Sequence, residues 1–373
     1  MNKLIIFLPL LLFFSCSIEE KTAFSFTPKP NPCILPGIDS SYNVEYIFED
    51  YDCYFRFQGY LRYSGKYGYP NFEEQGAIDI LPAWDITKGA GVKIMVFDDA
   101  IQKNHEEFEN ISVLNIMTQK PSCEPKNKND YSHGTAVSGL ICARENGFGI
   151  AGVAPECEFL FMGGGWEDAD IIRAFEHAKN WGVKVISCSW GSYDVLPQFE
   201  SAVKSFYEDG ITIIFAAGND YMNLDNKRPP YAQNPNGIDE SELEWVIGVS
   251  AADKSGIKAD FSNYGSNIDI MAPGVSILTL DLMGSDGRNN GSPYVNDNYF
   301  FINGTSFSAP IVAGVAVLMI AANPSLTPTQ VRQIIIDTAR KNGSGYNENG
   351  FSLHNAHGLI NAGRAVRKAA GLD

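Results

Sequence analysis

The chain has 373 residues, of which 45% are hydrophobic and 19% are charged. This length and apolar content are enough for a sizeable buried core. The 44 acidic residues outnumber the 28 basic ones and give a formal net charge of −16. That balance argues against a nucleic-acid-binding protein, because such proteins present a basic face.

The first segment of the chain has the pattern of an export signal. Lys3 precedes an unbroken apolar stretch at residues 4–14, and Ser15 and Cys16 follow it. A positive charge, a short apolar run and a small residue describe a secretory signal. A cysteine directly after the small residue resembles the bacterial lipoprotein signal, in which that cysteine carries the lipid. We expect residues 1–15 to be this signal and Cys16 to be lipidated, with an ordinary signal peptide cut nearby as the alternative.

The next segment shows little sign of regular structure before the main domain. Residues 16–51 mix Pro, Ser, Asn and acids without clear periodicity, so we expect a tether or irregular arm.

The remaining six of the seven cysteines permit disulfides, but their spacing does not fix the pairing. Cys33–Cys53 is the bridge that we expect. Cys142 and Cys188 lie in apolar segments and are expected to be buried free thiols.

From about residue 75, short apolar runs alternate with helical patterns. The segment DIIRAFEHAKNW places Ile171, Ile172, Phe175 and Ala178 on one face of a helix. Strands alternating with helices predict an α/β fold with a largely parallel central sheet and helices on both faces. We expect one such domain over residues 52–373. The runs typical of buried strands are 92–97, 158–162, 183–188, 211–216 and 245–250.

Two further helices are predicted near the C-terminus. The apolar run Ser306–Ala322 is shorter than the ~20 residues that a membrane span needs and contains Pro310, so we expect a buried core helix. A later segment begins with Thr327, Pro328 and Gln330, which together form a capping box with proline in the first helical turn.

Four polar residues stand at strand ends or helix starts. Asp98 and Asn219 follow predicted strands, whereas His133 and Ser306 begin apolar helical segments. Active sites of open α/β sheets form at the carboxyl ends of the strands. A serine hydroxyl becomes nucleophilic when an imidazole takes its proton, and a carboxylate holds that imidazole. An amide side chain can then stabilise the developing oxyanion. The four residue types therefore predict acyl-transfer chemistry.

The segments around these residues resemble the subtilisin-like serine protease (subtilase) family over roughly residues 52–370. The family's aspartate, histidine and serine segments are matched by IMVFDDAIQKNHEEF, HGTAVSGLICARENGFGIAGVAP and NGTSFSAPIVAG. The resemblance implies a subtilisin-like fold and a serine endopeptidase in which Asp98 orients His133. His133 would act as general base and then as acid, and Ser306 would be the nucleophile. Asn219 and the backbone N–H of Ser306 would bind the oxyanion.

Two residues depart from the commonest form of the aspartate segment. Ala100 stands where the family usually has glycine, which matters only if that position needs a positive φ. Asp99 beside Asp98 resembles the kexin branch of the family. We assign the catalytic role to Asp98 because it directly follows the strand.

The resemblance also implies a groove for an extended peptide. An edge strand at Gly164, Gly165 and Trp166 would pair with the substrate, since strand addition binds through main-chain hydrogen bonds. The residues that would form the opposite wall and the pocket before the scissile bond are Ser189, Trp190 and Gly191, and Ala216, Ala217 and Gly218.

The segment RENGFGI resembles the family's calcium loop. Asn146 would offer its side-chain oxygen, Arg144, Phe148 and Ile150 their backbone carbonyls, and Glu107 a carboxylate. Calcium takes about six to eight oxygen ligands and accepts carbonyls, so this donor set suits Ca²⁺. The alternative is an empty, self-packed loop.

Three functions compete at this point. The first is an exported serine endopeptidase, lipid-anchored in the periplasm or on the surface of a bacterial cell, that acts as a monomer on proteins or peptides. The second is a dedicated processing protease or transpeptidase. The third is a non-catalytic peptide-binding surface lipoprotein, which the intact set of polar residues disfavours. No nucleic-acid partner is expected.

Overall fold

The computed structural model describes residues 52, 54–62, 72–125, 133–191, 197–225, 244–288, 295 and 297–372. The expected signal peptide, the lipidation site Cys16 and the Cys33–Cys53 bridge lie outside these residues. Cys142 and Cys188 are buried free thiols, as predicted.

A parallel sheet forms the centre of the fold. Its strands are β1 (Lys93–Phe97), β2 (Ser112–Asn115), β3 (Glu158–Gly163), β4 (Val185–Cys188), β5 (Thr212–Ala216), β6 (Ile247–Ala252) and β7 (Ile270–Pro273). They lie side by side in the order β2-β3-β1-β4-β5-β6-β7, and every pair is parallel. All residues of β4 and β5 are buried, because helices cover both faces of the sheet. The predicted α/β fold is confirmed.

The helices form two layers, one on each face. They are α1 (Leu81–Trp84), α2 (His133–Cys142), α3 (Asp168–Trp181), α4 (Pro197–Glu208), α5 (Thr305–Ala322), α6 (Pro328–Thr338) and α7 (Ala362–Ala369). Alternate residues of β1 point to opposite faces. Ile94 and Val96 belong to the core with α2 and α5, whereas Met95 and Phe97 belong to the core with α3 and α4. A separate antiparallel pair, β8 (Ile277–Leu280) and β9 (Tyr299–Ile302), lies outside the main sheet.

The apolar run near the C-terminus is a core helix, as predicted. By length and composition α5 is the described helix that could cross a membrane, but 83% of it is buried inside the protein. Its residues are buried from Thr305 to Ile320 with the exception of Ser306. The predicted capping box of α6 is also present, since the Thr327 side chain accepts the Gln330 N–H and the Gln330 side chain accepts the Thr327 N–H. Burial of α5 therefore leaves Ser306 as its accessible polar group.

Residues 54–62 pack into the body of the protein ahead of the sheet. The Gln58 side chain forms hydrogen bonds of 2.8 and 2.9 Å with both backbone groups of Ala151. The Tyr60 hydroxyl donates to the Leu278 carbonyl at 2.9 Å, and Tyr60 is fully buried. This segment is held by buried hydrogen bonds as well as by apolar contacts, so its loss would expose paired polar groups.

Candidate active site

The polar residues predicted from sequence meet where the order of the strands reverses. β1 lies between β3 and β4. β2 and β3 lie on one side of it, and the later strands β4 to β7 lie on the other side. Such a reversal opens a crevice at the carboxyl ends of the strands, where ligands bind in α/β folds. Asp98 directly follows β1, and His133 is the first residue of α2. Ser306 lies in the first turn of α5.

Asp98 holds the ring of His133. The two oxygens of its carboxylate lie 2.9 and 3.0 Å from Nδ1 of His133, and Asp98 is only 1% exposed. Because Nδ1 faces an acceptor, it carries the proton and leaves Nε2 as the basic nitrogen. The Asp99 N–H also donates to Asp98 at 2.8 Å. Ala100 does not have a positive φ, so replacement of the usual glycine causes no strain there.

The electrostatic surroundings make His133 a stronger base than an ordinary histidine. Burial acts to lower the pKa of His133, but the charge and hydrogen bond of Asp98 act to raise it. Asp99 adds to the increase, and Arg288 opposes it. The net result is a pKa of His133 above its ordinary value of 6.5. A base with such a pKa accepts a proton readily near neutral pH.

Ser306 is tied to the end of β4 by two hydrogen bonds. Its Oγ donates to the Ser189 carbonyl at 2.9 Å, and the Ser189 hydroxyl donates to the Ser306 carbonyl at 2.8 Å. The ring of the next residue, Phe307, lies 5.6 Å from the ring of His133. Ser306 therefore directly precedes a residue that contacts the imidazole, and its hydroxyl is hydrogen-bonded to a backbone carbonyl.

Thr305 fixes the orientation of the Asn219 side chain. Oδ1 of Asn219 accepts the Thr305 N–H at 2.9 Å and the Thr305 hydroxyl at 3.1 Å. The Thr305 hydroxyl in turn accepts the Gly218 N–H at 3.1 Å. The oxygen of the amide is thus engaged, and Nδ2 remains as its donor end. Sequence reasoning missed Thr305, although its position directly before Ser306 was a usable signal.

Three aromatic rings, those of Phe97, Trp166 and Trp190, pack together at the C-terminal ends of β1, β3 and β4. Trp166 is 52% exposed, and its ring meets those of Phe97 and Trp190 edge to face at 5.5 and 5.7 Å. The Trp190 Nε1–H donates to the Phe97 carbonyl at 2.8 Å. Edge-to-face packing of this kind holds aromatic side chains in fixed positions.

The edge strand expected at Gly164, Gly165 and Trp166 is not formed. β3 ends at Gly163, and Gly164 has a φ of +101°, which turns the chain out of the extended conformation. A Cβ on Gly164 would lie 2.5 Å from the Asn115 side chain, so both its conformation and its packing require glycine. Gly164 therefore does not continue β3, and the pairing of residues 164–166 with a substrate stays a prediction.

The remaining groove residues differ in exposure. Ser189, Ala216 and Ala217 are buried, Trp190 and Gly218 are half-buried, and Gly191 is exposed. The half-buried and exposed three present surface to solvent, and the groove roles of all six stay predictions.

The predicted calcium loop surrounds two buried carboxylates. Glu107 is fully buried and accepts the Ile150 N–H at 2.8 Å and the Tyr299 hydroxyl at 2.6 Å. Asp52, which sequence reasoning missed, accepts the N–H groups of Asn146 and Gly147 at 2.8 and 2.6 Å through one oxygen. The other oxygen of Asp52 is buried without a hydrogen-bond partner among the described residues.

The charges in this loop favour a cation. Burial raises the pKa of Asp52 to about 7, with a contribution from the charge of Glu145. Burial also raises the pKa of Glu107 well above its usual range, helped by the charges of Asp52 and Glu106. The described residues contain no cluster of three His, Cys, Asp or Glu side chains able to hold a metal. Backbone carbonyls would have to complete the ligand set, which calcium accepts. With those carbonyls added, the donor set fits Ca²⁺.

Comparison with known proteins gives concordant matches. A profile of the subtilase family matches residues 89–359. A probable subtilase-type serine protease of Deinococcus radiodurans is 32% identical over 319 residues, which cover 78% of this chain but 42% of that protein. Subtilisin DY of Bacillus licheniformis is 30% identical over 285 residues, covering 75% of this chain and 92% of that protein. A solved protease structure from Pseudoalteromonas arctica has a TM-score of 0.68 at 25% identity and covers 86% of this chain and 99% of its own.

Proposed function

The chain belongs to the subtilase family of serine proteases, and from that premise we propose that it hydrolyses peptide bonds through Asp98, His133 and Ser306. The observation that carries this proposal is the pair of contacts, 2.9 and 3.0 Å long, between the Asp98 carboxylate and Nδ1 of His133. That pair leaves Nε2 of His133 as the base, with Ser306 at the start of the neighbouring helix.

The reaction begins when the Ser306 hydroxyl turns from the Ser189 carbonyl to Nε2 of His133. His133 takes the proton while Oγ attacks the scissile carbonyl carbon, and Asp98 stabilises the imidazolium. His133 then gives the proton to the leaving amine as the C–N bond breaks, which leaves Ser306 acylated. Water attacks the acyl group by the same sequence, again with His133 as base, and releases the acid product.

The negative oxygen of each tetrahedral intermediate meets two donors. One is Nδ2 of Asn219, whose oxygen is held by Thr305. The other is the backbone N–H of Ser306 at the N-terminus of α5, where the helix dipole also favours a negative charge. A donor such as Asn219 contributes about 3–4 kcal/mol to the stability of the transition state.

We propose that the substrate is a protein or peptide in extended conformation. It would run between Gly164–Trp166 on one side and Ser189–Gly191 on the other, with Ala216–Gly218 beside the residue before the scissile bond. The exposed ring of Trp166 supports this path, because it offers apolar surface directly beyond β3. A library of peptides that shows no dependence of cleavage on residues upstream of the bond would contradict it.

We further propose a calcium ion bound by Asp52, Glu107 and Asn146 with the carbonyls of Arg144, Phe148 and Ile150. When bound, calcium would neutralise the two buried carboxylates and link the segment around residue 52 to the loop. The partnerless oxygen of Asp52 supports this assignment.

Export and anchoring rest on the sequence of the first residues. We propose that residues 1–15 are a lipoprotein signal, that Cys16 carries acyl chains, and that residues 16–51 tether the peptidase domain of residues 52–373 to a membrane. More than one chain is needed for stable anchoring. Cells fed a labelled fatty acid should incorporate it into the wild type and not into Cys16→Ala. Equal labelling of both would end this idea.

The experiment that tests the activity is labelling by a fluorophosphonate, which reacts with activated serines. The full-length protein should be labelled, and Ser306→Ala and His133→Ala should not. Ser201→Ala is the matched control, because that hydroxyl donates to a carbonyl on α4 and lies outside the site. Absence of labelling in the folded wild type would favour the non-catalytic peptide-binding protein. Labelling with cleavage of a single sequence would favour the dedicated processing enzyme.

A further inference from the structure

The carboxylate of Asp99 binds the N-terminus of α2 from outside the helix. Its Oδ1 accepts the Gly134 N–H at 2.8 Å and also the Ala100 N–H, and its Oδ2 accepts the His133 N–H at 3.2 Å. His133 and Gly134 are the first two residues of α2, whose N–H groups have no partner within the helix. Asp99 thus takes the part of an N-cap, although it lies 34 residues before His133.

The backbone around this contact is packed closely. The Gln102 N–H donates to the Thr135 hydroxyl at 2.8 Å, which adds a second link between this segment and the first turn of α2. A Cβ on Gly134 would lie 2.4 Å from the Ala100 carbonyl oxygen. The start of α2 therefore cannot move toward the end of β1, and Asp99 prevents it from moving away.

We propose that Asp99 is a positioning residue for the hydrolysis. Two successive carboxylates hold His133, because Asp98 contacts its ring and Asp99 accepts its backbone N–H. The negative charge of the ionised Asp99 also increases the basicity of the imidazole. This inference rests on the proposed function, in which His133 is the base.

Among the residues that the structure describes, few charged groups act on Asp99 and His133. Asp98, at the end of β1, and His133, on α2, act on Asp99, and Arg288, from the segment after β8, acts on His133. Burial and the charge of Asp98 raise the pKa of Asp99 to about 6, while the Gly134 and Ala100 N–H groups and His133 oppose this. Asp99 is therefore ionised at neutral pH. Its charge raises the pKa of His133.

Two substitutions separate the hydrogen bonds from the charge. Asp99→Asn keeps an acceptor that caps helices about as well as aspartate, but it removes the charge. Asp99→Ala removes both. Glu176→Gln is the matched control, because it removes one negative charge from the exposed side of α3 on the opposite face of the sheet.

The pH dependence of kcat/KM is the decisive readout. Activity requires neutral His133, so kcat/KM falls as the pH drops through its pKa. Loss of the Asp99 charge lowers that pKa, so the acidic limb of the profile should move to lower pH by roughly half a unit or more in both Asp99 variants. Glu176→Gln should leave it in place. At the pH optimum Asp99→Ala should also lose about 10-fold to 100-fold in kcat/KM, as expected when a catalytic group is misplaced.

All rates should be normalised to the active fraction from fluorophosphonate titration, so that a poorly folded variant does not imitate a slow one. Acidic limbs that coincide with the wild type would overturn the inference, even with a reduced rate, because a purely structural contact would reduce the rate without moving the limb. Failure of the wild type to label would instead overturn the proposed function itself.

Discussion

At the scale of single residues, hydrogen bonds from Thr305 decide which end of the Asn219 amide faces the proposed substrate site. Asn219 is exposed, so its side chain would rotate freely without a partner. The N–H and hydroxyl of Thr305 hold its oxygen at 2.9 and 3.1 Å, which aims the nitrogen outward. A donor that is already oriented stabilises an oxyanion without reorganisation in the transition state.

We expect Asn219→Ala to lower kcat by about 10²-fold to 10³-fold with little change in KM, because the lost hydrogen bond forms only in the transition state. Steady-state kinetics on a peptide substrate would test this. Fluorophosphonate labelling should still reach completion, since Ser306 and His133 are intact. A rise in KM at constant kcat would instead assign Asn219 to ground-state binding.

Asp98 and His133 form a second interaction that a single substitution tests. Asp98→Asn removes the charge that raises the pKa of His133, so the pKa of His133 should fall. The acidic limb of the kcat/KM profile should therefore move to lower pH, while the maximum rate falls by about 10⁴-fold because the wrong tautomer is favoured. An unchanged limb would mean that a group other than His133 sets the profile.

At the scale of elements, α5 carries the accessible Ser306 in its first turn and is tightly packed in its middle. Ser306 lies in its first turn, while Gly314 lies against Val153, where a Cβ would meet the Val153 Cβ at 2.5 Å. The helix is buried over almost its whole length, so it cannot tilt to make room. The position of Ser306, the proposed nucleophile, is thus maintained by apolar packing two turns away.

Gly314→Ala should lower the free energy of unfolding by about 1–2 kcal/mol, because overpacking outweighs the better helix propensity of alanine. Val153→Gly removes both the Cβ and the methyl groups that the new Cβ would meet. The double variant should be more stable than the sum of the two single changes predicts. Urea unfolding of all four proteins measures the coupling, and additivity within about 0.5 kcal/mol would show that the two positions do not conflict.

At the scale of the whole molecule, the segment before the sheet and the loop after α2 depend on each other. Asp52 accepts two N–H groups of the loop, and the Tyr54 N–H donates to the Gly149 carbonyl at 2.7 Å. Two buried carboxyls in one small region repel each other unless protons or a cation neutralise them. The proposed calcium ion would therefore couple ligand binding to folding stability at this loop.

The direction in which pH and calcium change the folding stability follows from the raised pKa of Asp52. An unfolded aspartate loses its proton near 3.8, whereas Asp52 in the folded protein does so at about 7. Between these values the folded state binds more protons than the unfolded state, so stability without calcium should fall as pH rises. Calcium binds the ionised form, and its stabilising effect should grow over the same range.

We therefore expect saturating calcium to raise Tm more at pH 7.5 than at pH 5, and a chelator to lower Tm at the higher pH. Asp52→Asn should reduce the calcium-dependent shift, whereas Asp209→Asn, which removes an exposed partner of Lys179, should not. Thermal unfolding with and without calcium gives the answer independently of activity. A Tm indifferent to calcium at both pH values would mean that the loop is self-packed and empty.

The amino-acid sequence by itself determined most of the sheet and the choice of the proposed reactive groups. Five continuous apolar runs correspond to β1, β3, β4, β5 and β6, because strands covered on both faces need apolar residues throughout. β2 and β7 were missed because β2 has only two apolar residues, Val113 and Leu114, and the short apolar run of β7 ends at Pro273, a residue type that is uncommon within strands. Asp98, His133, Asn219 and Ser306 were predicted as the reactive groups because they stand in distinctive local segments.

Tertiary structure alone decided how those groups are held. Asp99 reaches α2 from 34 residues away, Asp52 reaches the loop from 94 residues away, and Thr305 contacts Asn219 across 86 residues. Contacts of this kind leave no periodic or compositional trace, because each depends on two distant segments meeting at one edge of the sheet. The sequence specifies a reactive group through its local pattern, whereas its orientation and pKa depend on neighbours that only the folded chain brings together.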